Sequence, residues 1–263
     1  MARIKYMIRD WAGRAGFSVL RQNDAADQMR VLAGMRPVET EHPLIRIGEA
    51  DDGGYLVPDD LDGIEACFSP GVGPVSCFEQ GMLDRGIRTF QIDASVAKSP
   101  LTDPRNVFER KFLGIESEDD HITLDDWVDG KLPGSTDLVL QMDIEGHEWL
   151  TLAQVSARTL RRFRIIALEV HFLDRVFDHF GPLVIEPVLT RLRRHFDVVH
   201  LHANNYAAPI RSREMTVPPV VEITLLRKDR SLVRRPVSTL PHPHDRDNSS
   251  YLPPVSIPET MYR

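Results

Sequence analysis

The sequence predicts an α/β fold with a largely parallel sheet. Seven apolar, strand-like runs follow one another between residues 64 and 228, segments of helical spacing separate most of them, and a loop without helical pattern joins the last two. Strands that alternate with helices build βαβ units, whose strands run parallel. Without a crossover helix, the last two strands pair antiparallel.

The elements follow in order. Residues 1–44 read as a helical segment that turns irregular, with Pro37 and Pro43 stopping helix. Ile4, Met7, Ile8 and Trp11 share one helical face there, which packs on its own domain or touches a membrane surface. IRIGEADDGGYLVPDDL (45–61) reads as a hairpin, since its Asp-Asp-Gly-Gly turn uses residue types that accept positive φ. IEACFSP (64–70) is the first strand, and VSCFEQGMLDRG (75–86) a helix closed by Gly86. RTFQIDA (88–94) and VFERKFLGI (107–115) are the second and third strands. ITLDDWV (122–128) is a short helix capped by Thr123, with Asp125 and Asp126 favoured by the dipole of its first turn. DLVLQMDI (137–144) is the fourth strand, HEWLTLAQVS (147–156) a helix and RIIALEV (164–170) the fifth strand. Residues 183–196 have helical spacing, and FDVVHLHA (196–203) and VVEITLLRK (220–228) complete the strands. Residues 45–230 thus form the main domain, and the proline-rich residues 231–263 an extended tail ordered where it docks.

Composition narrows the function. With 263 residues, 42% apolar and 27% charged, the chain can bury a substantial core. A net charge of -7 argues against a general nucleic-acid binder, which must neutralise phosphates. Its two cysteines, Cys67 and Cys77, form no metal motif or disulfide framework and fit a reducing, cytoplasmic compartment. No run reaches the length of a membrane span, and the N-terminus carries no secretory h-region.

Ligands of an open parallel sheet bind beyond the carboxyl ends of its strands. The first strand runs into SPGVGPVS (69–76), where Gly71 and Gly73 allow a tight turn ahead of a helix N-terminus. Asp93 ends the second strand, about twenty residues on, where a carboxylate can accept hydrogen bonds from a ribose diol. A nucleoside ligand satisfies both features, and nicotinamide and S-adenosylmethionine (SAM) both supply one. The fourth strand favours SAM. MDIEGHEW sets Asp143 and Glu145 beside the pocket, where carboxylates can orient a sulfonium, bind a metal or take a proton from an acceptor hydroxyl.

LVLQMDIEGHEWLTL resembles the signature of the FkbM-type SAM-dependent methyltransferases, an apolar strand running into Asp-x-Glu-Gly-x-Glu and then a helix. DGGYLVP, CFSPGVGPVSCFE, FQIDAS, MDIEGHEW and EITLLRKD follow in that family's order over residues 45–229, although Pro70 and Pro74 depart from the commoner glycine-rich turn. The resemblance implies a Rossmann-like seven-stranded methyltransferase sheet, mostly parallel with an antiparallel last strand and helices on both faces. It implies SAM as methyl donor and a hydroxyl of a sugar, polysaccharide or secondary metabolite as acceptor. Ser69, Gly71 and Gly73 would line the methionine part of SAM, Asp93 would hold its ribose, Asp143 would lie near the methyl, and Asp52 and Tyr55 would close over it.

Two more strand ends carry chemistry. Glu169 and His171 share a strand face, as do His200, His202 and Asn204. Asp143, Glu169, His171 and His202 would then come from three adjacent strands. They could bind a divalent cation that lowers the pKa of the acceptor hydroxyl, His171 or His202 could act as a metal-free base, or all could simply line a pocket. Glu148 reads as a helix cap, Trp149 as core, and RTLRRFR (158–164) and RLRRHF (191–196) as solvated faces. A nucleotide-dependent Rossmann oxidoreductase and a non-catalytic SAM-binding partner subunit are the alternatives. No feature of the sequence sets the oligomeric state.

Overall fold

A computed structural model describes residues 2–17 and 19–263. Helices α1 (Ala2–Arg14) and α2 (Ala25–Ala33) precede the short strand β1 (Val38–Glu39), and β2 (Leu44–Ile47) and β3 (Tyr55–Pro58) form the expected hairpin. Next come β4 (Ala66–Pro70), α3 (Cys77–Asp84), β5 (Arg88–Ile92), β6 (Asn106–Glu109) and the two-residue strands β7 (Phe112–Leu113) and β8 (His121–Ile122). They are followed by α4 (Leu124–Lys131), β9 (Leu138–Met142), α5 (Glu148–Gln154), α6 (Ala157–Leu160) and β10 (Phe163–Val170). A turn of 3-10 helix (Leu173–Phe177) and one of π helix (Gly181–Ile185) lead into α7 (Glu186–Leu192). Strand β11 (Phe196–Ala203), the hairpin β12 (Ile210–Ser212) and β13 (Met215–Val217), β14 (Val221–Arg227) and β15 (Arg235–Pro236) follow.

The main sheet has seven strands in the order β11-β14-β10-β9-β4-β5-β6. Its last strand in sequence, β14, runs antiparallel to both neighbours, and the other pairs are parallel. Period-two alternation divides its apolar side chains between two cores. Phe68, Leu140, Ile166 and Leu168 face α2, α4, α5 and α7, while Cys67, Val139, Ile165 and Ala167 face α3 and the β2–β3 hairpin. Thr123 caps α4 as its residue type predicts, accepting from the Asp126 amide at 3.1 Å.

Three expectations change. The third predicted strand stops at Glu109, because the chain bends back there, with the Lys111 amide donating to the Glu109 carbonyl at 3.0 Å. Phe112–Leu113 pairs instead with His121–Ile122. The basic stretch 158–164 is not all solvated, because β10 begins at Phe163 and carries Arg164 inward. Arg164 is buried and donates to Asp137 at 2.7 Å and to the Asp60 carbonyl at 3.0 Å, and Arg162 is buried beside it. Finally, β14 lies between β10 and β11, so the fifth and sixth predicted strands are not neighbours.

The tail is irregular but docked over much of its length. β15 pairs with β1, Ile257, Met261 and Tyr262 join the larger core, and Asn248 and Ser249 are buried.

Candidate active site

One cavity of about 960 Å³ opens beyond the carboxyl ends of β4, β5 and β9. Gly71, Gly73, Asp93 and Asp143 line it from the sheet, Asp52 and Tyr55 from the hairpin, and Tyr206 and residues 248–251 close its far side.

The turn after β4 needs its first glycine. Gly71 has φ +90°, and a Cβ there would lie 1.9 Å from the Asp143 carbonyl oxygen, so no side chain fits where the turn crosses β9. Gly73 has no such constraint. Asp93 fixes the turn, since its Oδ2 accepts from the Val72 amide at 2.9 Å and its Oδ1 from the Ser95 amide at 2.7 Å. Ser69 falls behind the wall rather than on it, a correction to its expected place. Its residue type suits the interior here because its hydroxyl has partners: it donates to Gln141 Oε1 at 2.6 Å and pairs with Glu79. Glu79 and Gln141 face the cavity in its place, and Gln141 donates to the Tyr55 hydroxyl at 3.3 Å.

At the end of β9 the backbone is forced into uncommon conformations. Glu145 has φ +54° and Gly146 φ +104°, and across from them Phe172 has φ +59°. Phe172 packs on Gly146 so closely that a Cβ at 146 would meet its ring at 2.2 Å. Strain of this kind persists only where its surroundings over-determine it. Glu148 holds the turn after β9. Its side chain is fully buried, and Oε1 accepts from the amides of Ile144 at 2.9 Å and Gly146 at 3.1 Å. The same oxygen lies 3.3 Å from His171 Nδ1, while His171 Nε2 lies 3.4 Å from Glu145 and 3.7 Å from Glu169. Asp143, Glu145 and His171 each bring one ligand-capable atom within 4.8 Å of the other two.

Burial, with Glu145, Glu148 and Asp52 nearby, lifts the Asp143 carboxyl to about 7 against the lowering pull of His171. Burial opposes charge on His171, but the bond from Glu148 and the nearby carboxylates outweigh it and raise its pKa. Asp143 Oδ1 is buried without a hydrogen-bond partner among the described residues.

His202 belongs to a different cluster. β14 places Glu222 opposite Glu169 on one side and His202 on the other. The expected group of Asp143, Glu169, His171 and His202 on adjacent strands is therefore corrected, because β14 separates its last member. The tail supplies that member's partner: Asp245 lies 3.7 Å from His202 and 2.8 Å from His200. Asn248 bridges Glu222 at 2.9 Å and Asp52 at 3.1 Å. Asn204 donates to both oxygens of Glu169, at 3.0 and 3.1 Å. Burial, then Asp143 and Glu222, lift Glu169 to about 9.

Comparison with known proteins finds a family domain within the chain. The family described as Methyltransferase FkbM domain matches residues 80–203. The chain carries an FkbM methyltransferase domain. The match runs from within α3 to the end of β11, so Asp93, Asp143, Glu169, His171 and His202 lie inside it, while the hairpin and the glycine turn precede it. Methyltransferase replaces the oxidoreductase alternative. This chain also resembles a chain of a fibrillarin/Nop5p complex, with 11% identity, a TM-score of 0.38 and coverage of 64% of this chain and 74% of that one. A protein from Pyrococcus horikoshii described as an RNA methyltransferase gives 8% identity, a TM-score of 0.31 and coverage of 78% and 99%. No curated protein matches.

Sequence reasoning missed four residues around the FkbM site. Glu148 reads as a cap from its position, yet its partners are the β9 turn and His171; the signal is a third acid at the first position of α5, from which its side chain reaches back to the amides of Ile144 and Gly146. Glu222, Asp245 and Asn248 gave none, since their roles depend on β14 being inserted and on the tail returning over the sheet.

Proposed function

We propose that this protein is a SAM-dependent O-methyltransferase whose acceptor is a hydroxyl of a sugar, polysaccharide or secondary metabolite. One observation carries the reading: the glycine turn, the Asp93 carboxylate and Asp143 line a single cavity of about 960 Å³. That volume lies at the upper end of small-molecule sites and suits a nucleoside donor with an acceptor beside it. Gly71 and Gly73 let the β4 turn pass close to the methionine part of the donor. Asp93 offers its carboxylate to the ribose, and Asp52 and Tyr55 cover the opposite side.

When bound, SAM supplies the electrophilic methyl group. As the acceptor oxygen took the methyl and the donor sulfur left as a neutral thioether, Asp143 would accept the hydroxyl proton, with His171, held by Glu148, beside it. A carboxyl that burial lifts to about 7 is suited to general-base work near neutral pH. Alignment of the two reactants by rigid strand ends lowers the barrier further. His202 acts through Glu222 and the tail rather than at the reacting atoms.

A second reading is favoured by the grouping of Asp143, Glu145 and His171, which suits a divalent cation gripping the acceptor oxygen. Incubation with SAM and a panel of saccharide and metabolite acceptors, read by mass spectrometry, tests both. A product heavier by one methylene supports the O-methyltransferase. Absence of product across the panel despite SAM binding supports the non-catalytic subunit. Loss of turnover after chelation, restored by added cation, selects the metal reading.

A further inference from the structure

The N-terminal segment leaves an apolar surface uncovered. Of residues 6–17, Ala12 alone is buried. Trp11 is 70% exposed, Met7 69%, Ile8 51% and Phe17 70%, and Leu20 beyond them is 57% exposed. The segment is then fastened abruptly. Ser212 donates to Gln22 at 2.8 Å, and the Asn23 amide donates to the Phe177 carbonyl at 2.9 Å.

Met7, Ile8 and Trp11 fall on one face of α1, and Arg9 projects from the other. The charge of this segment opposes that of the rest. Residues 1–21 hold five basic residues, Arg3, Lys5, Arg9, Arg14 and Arg21, against one acid, Asp10, in a chain of net charge -7. Asp10 is itself paired with Arg14 at 3.0 Å. A short helix with one apolar, aromatic-bearing face and cations on its flanks lies in the plane of a membrane interface. It is too short to cross one, and no described helix is long and apolar enough to do so. We infer that α1 and the following residues through Leu20 dock on an anionic lipid surface. The occupant is lipid because the apolar and cationic residue types run together in the sequence from the helix through Arg21, whereas the acidic remainder of the chain is repelled from such a surface.

Flotation of the full chain with phosphatidylcholine vesicles, with and without phosphatidylglycerol, tests this. The protein floats with the anionic vesicles, releases in high salt and does not float with phosphatidylcholine alone. Trp11→Asp and, separately, Met7→Asp weaken binding about tenfold or more, and Arg9→Glu about fivefold. Both apolar positions are exposed, so thermal unfolding of these variants matches the unsubstituted protein. Absence of flotation with anionic vesicles, or binding unchanged in both apolar variants, overturns the inference. So does a dimer in light scattering that Trp11→Asp dissolves, which would make a second copy the occupant.

Discussion

Two clusters of carboxylates and imidazoles sit at the carboxyl ends of this sheet, built from the same residue types and only one strand apart. Asp143 and Glu145 line the cavity, with His171 and the buried Glu148 packed behind them, on backbone held at positive φ at Glu145 and Gly146. Glu222, His200 and His202 lie buried under the tail, which supplies Asp245 to the two histidines. In the first cluster burial raises Asp143 to about 7, and one of its oxygens has no hydrogen-bond partner among the described residues. In the second, burial opposes the charge of Asp245, but bonds from His200 and His202 hold its pKa far below the usual carboxylate range. A carboxylate that is costly to ionise and faces a cavity is poised to accept a proton. One locked in its charged form between two imidazoles fastens chain to chain.

The sharpest way to break this comparison is to neutralise one carboxylate in each cluster. Asp143→Asn should lower kcat by about 10²–10⁴-fold with SAM affinity changed less than tenfold, as expected for a lost general base. Asp245→Asn should leave kcat within a few-fold and cost about 2 kcal/mol of stability, since two buried imidazoles lose their charged partner. Initial rates and denaturant melts on both variants would reverse the assignment if the effects were exchanged.

Gly71→Ala sharpens the first half. The added methyl meets the Asp143 carbonyl at 1.9 Å at a φ of +90°. A stability loss of about 2–4 kcal/mol should accompany weakened SAM binding. Gly73→Ala, which meets nothing closer than 3.6 Å, should be mild by the same denaturant melts.

The smallest effect concerns pH and the tail. Burial opposes charge on His202, but Asp245, Glu222 and Asp247 outweigh it and raise its pKa. A raised histidine contributes stability that is complete below its ordinary value of about 6.5 and is lost as pH rises through the folded value. Asp245, depressed, contributes above about 3.9 and loses its share as pH falls. Tail docking should therefore be strongest between about pH 4 and 6.5, weakening by roughly 1 kcal/mol toward pH 9. Limited proteolysis after the basic residues of the tail would register this, and equal cleavage at pH 6 and 9 would count against it.

Much of this was legible in the sequence because it is local. The seven strands announce themselves as apolar runs, Thr123 by its place before a helix, and Asp143 by the abrupt end of LVLQM. Gly71 and Asp93 stand at strand ends, where a parallel sheet gathers its ligands. What stayed hidden depends on tertiary order. Nothing local says that β14 inserts between β10 and β11 and so parts His202 from His171. Nor does PHPHD show that its aspartate will close on two histidines about forty residues earlier in the chain. Ser69 misled because a hydroxyl at a strand end looks like a ligand contact, whereas here it satisfies Glu79 and Gln141 inside the wall.

Calorimetric titration of SAM into the unsubstituted protein and into Asp93→Ala bears most directly on the central claim, that Gly71, Gly73, Asp93 and Asp143 gather around one adenosyl donor. A single saturable site that weakens at least about tenfold in Asp93→Ala is the predicted result, since that carboxylate fixes the glycine turn and, on the proposed reading, would receive the ribose. No heat of binding in the unsubstituted protein, or equal affinity in the two, would contradict it.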